Sequence, residues 1–120
     1  MDTNLELRTG STDLTGDETL TTFHIGPMTR PMYLHVLVPE RSAADTLDVE
    51  LEFCDATATT TEIYNQNMKQ IVAAGFYSVP FYTDEEYLQV KLNVSANGTE
   101  DFGAVKVWID AGATHPAGKQ

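Results

Sequence analysis

Cross-links and membrane-spanning segments are missing from this sequence. Among its 120 residues there is only one cysteine, Cys54. An intrachain disulfide is therefore excluded, and the fold has to be held by its core. No apolar run approaches the roughly 18–20 residues that span a bilayer. The first eight residues, MDTNLELR, also lack the basic and apolar regions of a secretory signal, which predicts synthesis and folding in a cytoplasm.

Basic residues are scarce as well. Lys and Arg number 7 against 18 Asp and Glu, which leaves a formal net charge of -11. Because such a surface repels phosphate backbones and anionic lipids, we predict no direct nucleic-acid binding and no membrane binding. The acidity is typical of a soluble protein, and the alternative is complementarity to a basic partner surface.

Signatures of catalysis are also absent. The sequence contains no nucleophile elbow, phosphate-binding loop or zincin motif. The three histidines, His24, His35 and His115, lie far apart, and none has a second His or a Cys at the spacing of metal ligands. We interpret His24 and His35 as hydrogen-bonded strand residues. The sequence therefore predicts no enzymatic activity and no cofactor, with a small hydrolase as the least favoured alternative.

What the sequence does contain is alternation. The ranges 47–53, 88–94 and 105–109 place an apolar residue at every second position, which predicts strands with one buried and one solvated face. Turn residues recur about every 8–14 positions, a spacing typical of all-β sandwiches and barrels. We predict an antiparallel β-sandwich, jelly-roll or immunoglobulin-like, of about eight short strands. The predicted core consists of Leu34, Val36, Val38, Leu47, Val49, Leu51, Phe53, Leu88, Val90, Leu92, Val94, Val105, Val107 and Ile109.

Other segments are less regular. The range 32–38 is nearly all apolar, which predicts a central strand covered on both faces. The range 75–82 contains Pro80, which indicates an edge strand or a bulge. In 61–72 the apolar spacing is partly helical, but two asparagines favour a short strand and a loop. We predict one domain over 1–112 with a short N-terminal arm, followed by a flexible tail over 113–120.

Two polar or aromatic groupings are candidate surface sites. Three acids alternate along the strand 47–53, and we expect a solvated face there, with a calcium ion or a basic partner as alternatives. Cys54, at the end of that strand, is interpreted as a small hydrophobic residue. Trp108 falls on the face opposite the apolar residues of its strand. With Tyr77 and Tyr87 it could form a sugar-binding platform or a protein contact.

Five segments, in this order, carry a family resemblance: LELRTGSTDLTGDET, GPMTRPMYLHVLVPE, DTLDVELEFCDAT, MKQIVAAGFYSVPFYTDEEYLQVKLNV and FGAVKVWIDAG. The series resembles a group of small β-sandwich proteins encoded among the structural genes of tailed phages. The likeness runs from about Leu5 to Gly112, and its motifs are structural. The loop after Asp55 departs from the group's pattern. Some such proteins are similar to capsid decoration, or cement, proteins.

The resemblance implies a non-catalytic virion protein, made in the host cytoplasm, that binds the outside of the capsid. Its partner would be the major capsid protein, and it could form a homo-oligomer. As contact residues we expect Leu5, Leu7 and Arg8 of the N-terminal arm, Arg41 in the loop after the Val-Pro strand, and Trp108. The alternative function is a carbohydrate-binding module of a phage head or tail appendage.

Overall fold

The computed structural model of the protein describes residues 5–25, 28, 30–41, 45–55, 58–94 and 101–110. Within these ranges the chain forms strands, turns and loops but no helix, and hence no helix that could cross a membrane. The predicted tail, 113–120, lies outside the described residues. The nine strands are β1 (Leu5–Thr9), β2 (Glu18–Thr19), β3 (Phe23–His24), β4 (Met32–Val38), β5 (Leu47–Asp55), β6 (Ala58–Asn67), β7 (Gly75–Phe81), β8 (Tyr87–Val94) and β9 (Lys106–Asp110).

The strands form two antiparallel sheets, which confirms the predicted β-sandwich. Sheet A has four strands in the order β1-β9-β4-β7. Sheet B has five strands, with β2, β8, β5 and β6 in that order and β3 also paired with β8. All pairs are antiparallel. The segment that had partly helical spacing is the strand β6 followed by a loop, as predicted.

The core lies between the two sheets and follows the alternation of the sequence. Every predicted core residue is buried except Val94, which is half-buried and packs against the cluster. The alternation misses further buried residues, because most of them lie in loops or next to strand ends, where period two gives no signal. These are Leu14, Leu20, Met28, Ile71, Phe81 and Phe102.

One open side of the sandwich is closed by Arg8, which is only 7% exposed. The pairing of β1 with β9 contains a β-bulge just before Arg8, so that Leu7 and Arg8 both turn toward the interior. The guanidinium binds both carboxylate oxygens of Glu18 on β2, at 2.9 and 3.0 Å. It also donates to the backbone carbonyls of Thr12 and Val105, each at 2.8 Å. Arg8 therefore ties sheet A to sheet B.

The opposite side is closed by contacts between β6 and the end of β7. The Tyr64 hydroxyl donates to Oγ1 of the buried Thr83. Gln66 donates from Nε2 to the carbonyl of Pro80 at 3.0 Å. Pro80 lies on β7, the edge strand of sheet A, which confirms the prediction made from its missing N–H.

The turn before β9 depends on Gly103. Its φ is 74°, and a Cβ there would lie 2.6 Å from Cγ of Glu40. The amide of the buried residue before it, Phe102, donates to the carbonyl of Leu14 in the β1–β2 loop at 3.1 Å, and the Leu14 amide donates to the carbonyl of Gly103 at 2.8 Å. The Asp101 carboxylate accepts the amide of Gly103 at 2.9 Å. The Phe-Gly-Ala-Val motif therefore has a structural role, because only glycine combines this φ with so close a neighbour.

Two predictions about solvent exposure are wrong. β4 is central in sheet A, but its outer face is not covered, and Leu37 is 41% exposed. The acids of β5 are not uniformly solvated either. Glu52 and Cys54 are buried on the outer face of sheet B, where β5 lies between β6 and β8 and Lys91 of β8 reaches Glu52 at 3.1 Å.

Candidate binding face

An aromatic surface covers the outside of sheet A. Because side chains alternate along a strand, the residues between the core positions of β4, β7 and β9 all point outward. The register places Trp108 and Ser78 on either side of His35, and Phe76 beside Leu37. We call the resulting group the aromatic face. It consists of Tyr33, His35, Leu37, Phe76 and Trp108.

The rings of the aromatic face stack against one another. The centroid of His35 lies 5.4 Å from that of Phe76 and 5.2 Å from that of Trp108, and Phe76 and Trp108 are 5.7 Å apart. Tyr33 stacks on His35 at 6.2 Å with an interplanar angle of 9°. At these distances near-parallel rings are offset stacks, which turn part of each ring face toward a neighbour. Phe76, on the edge strand, is nevertheless 57% exposed.

His35 lies between two polar groups. Its Nδ1 lies 2.6 Å from the hydroxyl of Ser78 on β7, and its Nε2 lies 3.1 Å from Oδ1 of Asp110 on β9. The three side chains therefore form a Ser-His-Asp array across three strands. The hydrogen bond with Ser78 fixes the orientation of the His35 ring and, through it, the stack. The contact with Asp110 is a close approach only, because within the described residues its buried Oδ1 has no hydrogen-bond partner.

The composition of this array is that of an acyl-transfer relay, but the surroundings do not suit that chemistry. Acyl transfer needs hydrogen-bond donors aimed at the oxyanion that develops on the substrate. Around Ser78 the nearest backbone amides belong to β-strands, and strand amides point along the sheet plane toward neighbouring strands. They do not point to a group bound above the face. We therefore interpret the Ser78–His35 hydrogen bond as a clamp for the aromatic face.

One border of the aromatic face carries paired charges. Glu6 on β1 stands opposite Trp108 in the register, and Asp110 follows Trp108 by two residues on the same face. The ammonium of Lys106 lies 3.1 Å from the Glu6 carboxylate and 5.4 Å from the centroid of the Trp108 ring. Trp108 thus already interacts with a cation that a carboxylate holds in place.

The five contact residues expected from the sequence are not brought together. Leu5 begins β1, Leu7 packs against the core, and Arg8 is buried between the sheets. Arg41 is half-buried and donates from Nε to a backbone carbonyl four residues further on, at 2.6 Å. Only Trp108 belongs to the aromatic face. That any of these residues contacts a partner stays a prediction.

The expected platform of Trp108 with Tyr77 and Tyr87 does not form. Tyr77 lies on the inner side of β7, where it packs against the core. Tyr87 lies on sheet B, where its ring meets His24 edge-on at 5.1 Å. The actual neighbours of Trp108 were missed because alternation predicts the outward positions of each strand but not which strands pair.

The alternating acids of β5, Asp48, Glu50 and Glu52, lie on the outside of sheet B. Asp48 accepts a hydrogen bond from Gln70 at 3.0 Å, and Glu52 is paired with Lys91. Among the residues that the structure describes, no group of three or more His, Cys, Asp or Glu side chains could hold a metal ion. Sheet B therefore presents a polar surface with internal ion pairing.

The sequence matches no model of a known protein family and no curated protein. No substrate, partner or set of functional residues can therefore be transferred to this chain from a relative. What the protein binds has to be inferred from its own exposed side chains. Among the described large apolar residues, Phe76 of the aromatic face is the most exposed.

Proposed function

We propose that the protein is a non-catalytic structural protein of a tailed-phage virion that binds the outside of the capsid. Its partner in this role is the major capsid protein, and the virion exterior is where it acts after synthesis in the host. The observation that carries the proposal is the aromatic face, an uncovered group of stacked rings on the outside of sheet A. The resemblance of the sequence segments to phage β-sandwich proteins supplies the class of partner.

The aromatic face has the composition of a protein contact. Tyr, Trp and Phe are enriched in the centres of protein interfaces, and a contiguous exposed apolar patch is often functional. The rings are also pre-ordered, since the Ser78–His35 hydrogen bond and mutual stacking hold them. Binding to such a surface loses little side-chain entropy.

Decoration would stabilise the capsid by mass action. A protein that binds only the assembled lattice lowers the free energy of the assembled state and shifts the equilibrium toward it. Copies bound at neighbouring lattice points can also be linked to one another where they touch. Once one copy of such a linked group is bound, the others bind the capsid in effectively intramolecular steps, so that weak single contacts give strong binding through avidity. No catalytic step is required.

The test is binding of the purified protein to phage heads that lack it. We expect saturable binding at a fixed copy number that matches one class of symmetry positions, together with a higher temperature of head disruption. Phe76→Ser should weaken the binding, because it removes the most exposed ring of the aromatic face. Val72→Ser is the matched control, as Val72 is 49% exposed but lies in the β6–β7 loop. A folded protein that does not bind heads contradicts the proposal.

The second candidate function is carbohydrate binding, which Trp108 favours by lying on an exposed sheet face beside polar groups. Sugar-binding platforms offer the flat face of a ring to a pyranose. Here the ring faces are partly turned toward each other, and Lys106 lies over Trp108, which favours a protein partner. Screening wild type and Trp108→Ala against a glycan array distinguishes the two functions. Glycan binding that is lost in Trp108→Ala, without head binding, would favour the module.

A further inference from the structure

Part of the positive charge of this protein is engaged within the chain. Three of its seven Lys and Arg residues, Arg8, Lys91 and Lys106, lie within 3.1 Å of a carboxylate. The formal net charge of -11 therefore corresponds to a surface on which acids outnumber free cations. Such a surface attracts a basic partner over long distances and repels a second copy of itself.

The border of the aromatic face combines negative charge with ring surface. Trp108 lies between Glu6, which stands opposite it on β1, and Asp110, two residues along β9. Exposed aromatic rings attract cations through their quadrupole, and a nearby carboxylate adds to that attraction. Lys106 occupies this position over Trp108 from within the chain, so the geometry is already used for a cation.

We propose that the aromatic face binds arginine side chains on a basic surface of its protein partner, through cation–π contacts with Trp108 and Phe76. The inference rests on the proposed function, which it deepens by naming the chemistry of the contact. Arginine suits the site better than lysine does. A planar guanidinium can stack on a ring and bind a carboxylate through two N–H groups, and it is more weakly hydrated than an ammonium.

Lys106 has a specific place in this proposal, because it competes with the partner. Its ammonium covers Trp108 and neutralises Glu6. When an arginine arrives, it has to displace Lys106 or share the ring with it. Replacing Lys106 by an uncharged residue should therefore strengthen arginine binding. A substitution that only perturbs the binding surface would weaken it.

The experiment uses the only tryptophan in the chain, which lies in the site. The full-length protein is titrated with the capped peptide Gly-Arg-Gly-Arg-Gly while Trp108 emission is recorded. The same peptide with citrulline, which keeps the shape and loses the charge, is the control ligand. We expect a saturable change with a roughly millimolar Kd, weakened by added salt, and no saturable change with the citrulline peptide.

Two variants, each with a matched control variant, sharpen the result. Phe76→Ser should raise the Kd about three- to fivefold, the size expected from losing one exposed cation–π contact. Lys106→Met should lower the Kd about two- to fivefold for the same reason. Lys69→Met removes the same charge at an exposed position outside the aromatic face and should leave the Kd nearly unchanged. Val72→Ser serves the same purpose for Phe76→Ser.

Equal responses to the arginine and citrulline peptides, or no response to either, overturn the inference. So does a Kd that rises in Lys106→Met. Binding to phage heads without a response to arginine would overturn the inference and leave the decoration proposal standing. The reverse outcome, arginine binding without head binding, would keep the inference and overturn decoration by this protein.

Discussion

Sheet A and sheet B bury the same kind of residue between them but present different surfaces outward. The outside of sheet B carries acids, amides and Lys91, with Glu52 paired to that lysine. The outside of sheet A carries the aromatic face, including Phe76 and Leu37, both well exposed. The core is filled by the inner faces of both sheets, so folding does not require apolar residues on the outside of sheet A. The proposed contact with a partner would give these outward residues a role.

The largest expected effect tests whether the outward residues of sheet A are separate from the hydrophobic core. Val36 and Leu37 are neighbours on β4, but Val36 is fully buried and Leu37 faces outward. Val36→Asp should cost more than about 4 kcal/mol, because it buries an unpaired carboxylate, and the protein should lose its cooperative unfolding transition. Leu37→Asp should change stability by no more than about 1 kcal/mol, since Leu37 is exposed and one of its two cross-strand partners is Lys106. Urea unfolding followed by circular dichroism measures both.

If Leu37→Asp also prevented folding, the outside of sheet A would have to be counted as core. The comparison between the two sheets would then fail. A soluble Val36→Asp protein that unfolds cooperatively would contradict the core assignment instead.

A smaller effect tests what joins the two sheets. Arg8→Met removes the bidentate pair with Glu18 and leaves the carbonyls of Thr12 and Val105 without their donor. We expect a loss of about 2–3 kcal/mol in the free energy of unfolding, moderated by the partial exposure of Glu18. Arg8→Lys should recover only part of it, because an ammonium cannot make the two parallel bonds. Urea denaturation midpoints report the differences.

The control for this series is Arg30→Met, since Arg30 is exposed. It should change stability by less than about 0.5 kcal/mol. Equal losses in Arg8→Met and Arg30→Met would mean that Arg8 does not hold the sheets together.

The smallest effect tests the role of Ser78 in the aromatic face. Ser78→Ala removes one exposed hydrogen bond to His35 and should cost no more than about 1 kcal/mol. A fluorophosphonate reagent should not label wild-type Ser78, because the backbone amides of the described strands around it point along the sheet and not toward a group bound above the face. Mass spectrometry of the tryptic peptides, with a serine hydrolase treated in parallel, makes the measurement. Labelling of Ser78 that disappears in His35→Gln would establish an activated nucleophile and would reopen the hydrolase alternative.

Most of the fold follows from local patterns in the sequence. The alternation in β5, β8 and β9 places their apolar residues in the core because a strand's side chains point to opposite faces by geometry alone. Pro80 correctly indicates an edge strand because proline lacks a donor for the ladder. Gly103 lies in the Phe-Gly-Ala-Val segment before β9. Its positive φ and the close approach of Glu40 explain why this position holds a glycine.

The candidate site follows from the sequence only in part. Trp108 could be recognised as an outward residue, but its neighbours come from strands 30 to 100 residues away and depend on the strand order β1-β9-β4-β7. The bulge before Arg8 likewise reverses the direction that simple alternation predicts, and it turns an expected contact residue into a buried one.

The sequence by itself determined that this chain is an acidic β-sandwich protein, because composition, charge and period-two alternation are local properties. Only the tertiary structure decided that Tyr33, His35, Leu37, Phe76 and Trp108 share one face and that Ser78 and Asp110 lie on either side of His35. The physical reason is that strand pairing and register are set by the packing of the whole core. No single segment contains that information, and a shift of one residue in register would have turned the same side chains to the opposite side of the sheet.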